Sequence, residues 1–125
     1  NLGVIPGFGG TQRLSRLVGK NLTRFLVYTG DIVRADWALE KGLCVEVVEP
    51  EQLLERCFAV VATISQKGPM AVSYAKRVIQ DGFDLPLDAA LEMEAMAFSQ
   101  LFSTSDMREG TTAFLEKRKA DFKGV

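Results

Sequence analysis

Apolar residues along this chain recur mostly at three- and four-residue intervals, the period of a helix with one face turned to a core. A short apolar lead-in, Asn1 to Pro6, reads as a strand end or loop. Leu14, Leu17 and Val18 then mark a short helix from Thr11 to Val18, with Thr11 placed to serve as its N-cap. Gly19 stops it, since glycine adopts the left-handed conformation of a helix end at little cost. A second helix spans about Leu22 to Tyr28 and stops at Gly30, and a third runs from Ala35 to Lys41 and stops at Gly42. Ile32 and Val33 form a short extended piece between them. The β-branched run Cys44 to Val48 predicts a strand.

Beyond Glu49 the pattern is purely helical. Pro50 suits the first position of a helix that carries Leu53, Leu54, Cys57, Val61 and Ile64 at helical spacing. Lys67, Gly68 and Pro69 break it. Ala71, Ala75, Val78 and Ile79 mark the next helix, which ends near Gly82. Pro86 opens a longer one with a broad apolar face through Phe98, Leu101 and Phe102. Asp106 and Glu109 have the spacing of a capping box for a last helix reaching about Arg118. The chain thus divides near Glu49: mixed α/β before it, all helix after it. No internal repeat or low-complexity tract appears.

Composition narrows the chemistry. The 125 residues are 47% apolar and 25% charged, with a net charge of −1, which suits a soluble domain and recruits neither nucleic acid nor an anionic membrane. No apolar run approaches the ~20 residues of a membrane helix. The absence of histidine removes histidine-based nucleophile pairs, metal sites and general bases. Cys44 and Cys57 fit no metal spacing; each sits in an apolar run and reads as a buried free thiol, suited to a reducing cytoplasm. No metal is expected. The start at Asn1, inside what looks like a structural element, reads as that of a fragment.

The run Ile5-Pro-Gly-Phe-Gly-Gly-Thr-Gln-Arg-Leu14 resembles a signature of the enoyl-CoA hydratase/isomerase, or crotonase, family. Further blocks resemble it in the family's order. They are Thr29-Gly30-Asp31 with Ala35, Ala38 and Gly42-Leu43; Gly68-Pro69 with Ala71 and Lys76; and Asp106, Glu109, Gly110, Ala113-Phe114 and Glu116-Lys117-Arg118. A lone glycine-rich run is weak, but ordered blocks covering essentially the whole chain are strong. Cys44 departs from the usual small aliphatic residue.

The resemblance implies a fold of class α/β to mostly α. Residues 1–49 would be the last part of a spiral of ββα units, and residues 50–125 a helical region that mediates trimer assembly. It implies a lyase that adds water across a 2-enoyl-CoA, with acyl-CoA as substrate, no other cofactor, and a homo-oligomer as the working form. In the family two glutamates handle the water and two backbone N–H groups hold the enolate oxygen. The second glutamate belongs to a Pro-Glu pair expected just upstream of Asn1, the first further upstream. Glu40, Glu46, Glu49 and Glu51 match neither motif.

Three positions carry the resemblance into a site. Gly7 is either part of a plain tight turn or, through its backbone, an active-site wall beside the catalytic water. Phe98 is either a core aromatic or a contact to the adenine of CoA. Lys117 is either a solvated charge in the basic cluster with Arg118, Lys119 and Lys123, or a partner of the CoA phosphates. Trp37 and Tyr74 read as packing residues, Arg13 and Arg16 as surface or interface charges. Two functions stand: the C-terminal part of an enoyl-CoA hydratase, inactive alone, or a non-catalytic product that serves as a helical self-association module.

Overall fold

The computed structural model describes residues 2–125, so Asn1, the first residue of the lead-in, lies outside the described residues. The chain forms two units, one ending at Leu53 and the other running from Leu54 to Val125. The first holds α1 (Gly10–Val18), α2 (Lys20–Thr29), α3 (Ala35–Glu40) and a 3₁₀ turn (Pro50–Gln52). The second holds nearly all of α4 (Leu53–Ile64), then α5 (Pro69–Gly82), α6 (Leu87–Leu101) and α7 (Ser105–Leu115).

In the first unit α1 packs on α2. The inward side chains are Leu14 and Val18 from α1 and Leu22, Leu26 and Val27 from α2, all half-buried, and they follow the helical period. Gly19 separates the two helices with φ 81° and ψ 161°, a region essentially open only to glycine. Gly30 and Gly42 end α2 and α3 at φ 69° and 74°. At α3 the turn closes through the amides of Gly42 and Leu43, which donate to the carbonyls of Leu39 and Ala38. This is the paired bonding of a Schellman end.

In the second unit α5 packs on α6. Met70, Tyr74 and Val78 on α5 and Ala90, Met93, Ala97 and Leu101 on α6 are the half-buried positions, again at helical spacing. Gly82 faces Ala90 in this packing, and a Cβ on it would sit at ordinary contact distance, 3.6 Å from that of Ala90.

Four expectations need correction. Cys44–Val48 is not a strand; no described residue pairs in a sheet. Its composition suits a ladder, but a ladder needs a second strand and none of the described residues supplies one. Thr11 is not a cap: α1 begins one residue earlier and Gly9 precedes it. Asp106 and Glu109 do not form a capping box. Thr104 caps α7, its hydroxyl accepting from the Met107 amide at 3.1 Å, and α7 ends at Leu115 rather than near Arg118. Finally, the thiols are not buried: Cys44 is half-buried and Cys57 exposed.

The last correction reflects a wider fact. Ala113 is the one buried hydrophobic residue among the described residues. The chain exposes 10345 Å², whereas two compact domains of these lengths sharing no surface would together expose about 7,900 Å². All of α4 is exposed, although every residue in it except Glu55, Arg56 and Thr63 is apolar. Ile32 and Val45 are each 99% exposed. Soluble monomers rarely leave contiguous apolar patches beyond a few hundred Å². The 125-residue chain is therefore expected to self-associate, with sedimentation velocity showing larger species as concentration rises. Phe58→Ser with Val61→Ser, both on α4, is expected to shift the distribution toward monomer. A single monomeric species at every concentration would contradict this.

Candidate functional site

Residues 6–10 build a tight turn into α1. The Gly10 amide donates to the Gly7 carbonyl at 2.9 Å, and the amides of Gln12 and Arg13 both donate to the carbonyl of Gly9. Phe8 and Gly9 are both left-handed, at φ 53° and 70°. Glycine takes that conformation freely, but a bulky residue does so only under constraint. Phe8 is nevertheless wholly exposed, so its ring contributes no packing to hold the turn. The glycines explain it better. A Cβ on Gly10 would meet that of Pro6 at 3.0 Å, so a side chain there would make the turn give by a few tenths of an ångström.

The turn leaves the N-terminus of α1 without a side-chain cap and without an acidic residue in its first turn. The Arg13 side chain lies over Gly9, with Nε 3.6 Å from where a Cβ would stand. The helix dipole and a guanidinium thus add up to positive potential beside an open backbone, an arrangement suited to an anion or a polarised oxygen. Gly7 is exposed, and a Cβ there would meet nothing within 4 Å.

Phe98 and Lys117 belong to the second unit. Phe98 is 63% exposed on α6 and meets Phe102 edge to face, with ring centroids 5.0 Å apart. It borders an apolar cavity of about 380 Å³ together with Leu101, Phe102, Met107, Gly110 and Phe122. Lys117 follows the end of α7 in the left-handed region, at φ 55°. Its amide donates to the Phe114 carbonyl and that of Arg118 to the Ala113 carbonyl. The bonds are those of the α3 end, but lysine stands where Gly42 stands there. Trp37 and Tyr74, read as packing residues, are half-buried.

The basic cluster around Lys117 is not uniform. The Arg118 guanidinium donates Nη1 and Nη2 to the two oxygens of Glu109, at 2.6 and 2.8 Å, and Nε to Glu116 at 2.6 Å. Lys123 pairs with Asp121. Lys117 and Lys119 have no ion pair among the described residues, so their charge faces solvent. Sequence reasoning missed the parts of Asp106 and Glu109. Each accepts backbone amides of the segment after α7: Asp106 from Lys123 and Gly124, Glu109 from Asp121. Their spacing suited a cap, and no local signal pointed to acceptors for residues this far along the chain.

Glu109 has the clearest shift in acidity. The hydrogen bonds from Arg118, and after them the Asp121 amide, hold its carboxyl down from 4.5 to about 2. The same bonds push Arg118 upward. A depressed carboxyl stabilises the folded form above its ordinary value and loses that contribution as pH falls through its folded value. The Arg118–Glu109–Asp121 junction is therefore expected to loosen as pH drops from 4.5 toward 2. The protection factor of the Asp121 amide, its exchange rate corrected for the intrinsic pH dependence, should fall over that window, and Glu109→Gln should remove most of the dependence.

Lys117→Gly tests the backbone separately. A left-handed non-glycine residue costs roughly 1–2 kcal/mol, partly offset by the greater unfolded-state freedom of glycine. Denaturant unfolding should show the variant equal to or up to about 1 kcal/mol more stable than the parent.

The comparisons with known proteins converge. The profile described as enoyl-CoA hydratase/isomerase matches residues 1–125. The chain is 48% identical to a crotonyl-CoA hydratase of Syntrophomonas wolfei, over 97% of this chain and 46% of that protein. It is 44% identical to a short-chain-enoyl-CoA hydratase of Clostridium acetobutylicum, over 96% of this chain and 46% of that one. The crystal structure of an enoyl-CoA hydratase from Bacillus anthracis superposes with a TM-score of 0.95 at 41% identity, covering 99% of this chain and 48% of that chain. The chain thus spans about half the length of these relatives, and it matches their C-terminal half.

Proposed function

This chain belongs to the enoyl-CoA hydratase/isomerase family, and we propose that it forms the C-terminal half of an enzyme that hydrates 2-enoyl-CoA thioesters or, in reverse, dehydrates 3-hydroxyacyl-CoA. The observation that carries the reading is the glycine turn at the start of α1. No side chain caps that helix start, the Gly7 backbone beside it is accessible, and Arg13 lies over the turn. A wall of that kind suits a polarised water next to a thioester. The Gly7 backbone would line the site. The glutamate pair and at least part of the oxyanion hole would come from the other half of the enzyme. Donors placed where negative charge develops supply much of the rate in such chemistry.

The exposed ammonium of Lys117 would meet a CoA phosphate as a point charge, and Phe98 would pack near the adenine. Residues 1–49 would complete the spiral, and residues 50–125 would form the helical assembly region of a homo-oligomer. Free thiols at Cys44 and Cys57 favour a cytoplasmic setting, and the reaction fits fatty-acid metabolism. Among the described residues no helix is long and apolar enough to cross a membrane.

The exposure of α4 favours a second reading, a non-catalytic helical module that acts by self-association. One experiment separates the two. A chimera would carry the N-terminal half of the Syntrophomonas wolfei protein followed by this chain. Crotonyl-CoA hydration by the chimera, with none from this chain alone, is the expected result. A folded but inactive chimera would overturn the enzymatic reading. In an active chimera, Lys117→Ala is expected to raise KM about two- to fivefold with kcat little changed, the scale of an exposed charge contact of ~0.5–1 kcal/mol.

A further inference from the structure

The segment after α7 is held in an unusual way. It is neither helix nor strand, yet nearly every residue from Asp121 to Val125 is read by a specific group. The Glu109 carboxylate accepts the Asp121 amide at 2.8 Å. The Asp106 carboxylate, on a residue only 7% exposed, accepts the amides of Lys123 and Gly124 at 2.6 and 2.8 Å. The Val125 carbonyl accepts from the Ser105 hydroxyl at 2.8 Å and from the Asp106 amide at 3.2 Å, at the first turn of α7. Bonds from amides to carboxylates are the stronger, charge-assisted kind.

Between these hooks sits one side-chain anchor. The Phe122 ring is half-buried and forms one wall of the apolar cavity that Phe98 also borders. Gly110 makes room for it, and Gly68 lies at ordinary contact distance. A Cβ on Gly110 would stand 3.2 Å from its Cε1, and one on Gly68 would stand 3.7 Å from its Cδ1. Gly124 fits for a different reason: its φ is 78°, a left-handed conformation in which a side chain is strained. The recognised pattern is an aromatic residue, then a glycine two positions later, with main-chain amides directed at two carboxylates.

We infer that Gly68, Gly110 and the α7 carboxylates Asp106 and Glu109 form a peptide-binding groove, occupied in cis by residues 119–125 as a releasable strap. The ligand class is a short extended peptide of the form Phe-x-Gly, and the strap is its built-in occupant. The tether through the Lys117 turn keeps the strap at the millimolar effective concentration of a short linker, so it excludes free peptide of the same sequence. The inference rests on the second unit alone and goes beyond the hydratase reading.

The test loosens the strap and leaves the groove intact. Phe122→Ala removes the anchor, and Gly124→Val forces a branched residue into a left-handed position. A dye-labelled peptide, Lys-Ala-Asp-Phe-Lys-Gly-Val, is titrated into each variant of the 125-residue chain and into the parent, with fluorescence anisotropy as the readout. Either variant is expected to bind it at least tenfold more tightly than the parent. A peptide with alanine for phenylalanine should bind no variant better than the parent, and Asp106→Asn added to either variant should abolish the gain. Equal affinity for parent and variants, or equal binding of the alanine peptide, would overturn the inference. So would loss of helical circular dichroism in both variants, because the segment would then be part of the fold rather than a releasable occupant.

Discussion

A helix as apolar as α4 is stable in water only when other surfaces cover it, and α4 has no such cover from this chain. The same holds for Ile32 and Val45. The hydrophobic effect supplies most of the drive to fold at about 25 cal/mol per Å² of apolar surface buried. In this chain much of that surface remains in water. What the residues specify is therefore a set of helices ready to be covered. The superposition on half of a solved hydratase at a TM-score of 0.95 agrees: the local path is that of the family without the rest of the fold.

This division of labour explains what could be read from the sequence. Helix ends are local decisions, and the residues that make them are recognisable alone. Gly19, Gly30 and Gly42 stop their helices at positive φ, and Pro50, Pro69 and Pro86 stand at or just before helix starts. The helices from Pro69 and Pro86 follow because their stops and apolar periods agree. Cys44–Val48 failed for the opposite reason. Its β-branched composition describes a surface that packs well, but a strand exists only through a neighbour, and the pairing lies beyond what a local pattern encodes.

The carboxylates of α7 show a subtler limit. Asp106 and Glu109 have capping-box spacing, but a cap is a competition, and Thr104 wins it. With its own amide turned to Val125 and its carboxylate buried, Asp106 is free to take distant amides that would otherwise need water. Three residues on, almost one turn of helix, Glu109 faces the same segment and adds the Arg118 fork. The spacing suggested a mutual cap that the structure does not form. It was silent on the partner, which is set by the path of the chain after the helix.

Lys117 joins these levels. The helix end before it needs a left-handed residue, and glycine would fill that place without strain, as Gly42 does after α3. Lysine there costs conformational energy and returns no ion pair among the described residues. Its neighbour Arg118 is neutralised by Glu109 and Glu116, so the turn presents the Lys117 charge on a backbone fixed from both sides. A solvated charge could sit anywhere on the surface without a strained backbone beneath it. A strained residue held at a defined position is the arrangement expected of a group kept for what its side chain meets. In the proposed hydratase, that would be an anionic ligand such as a CoA phosphate.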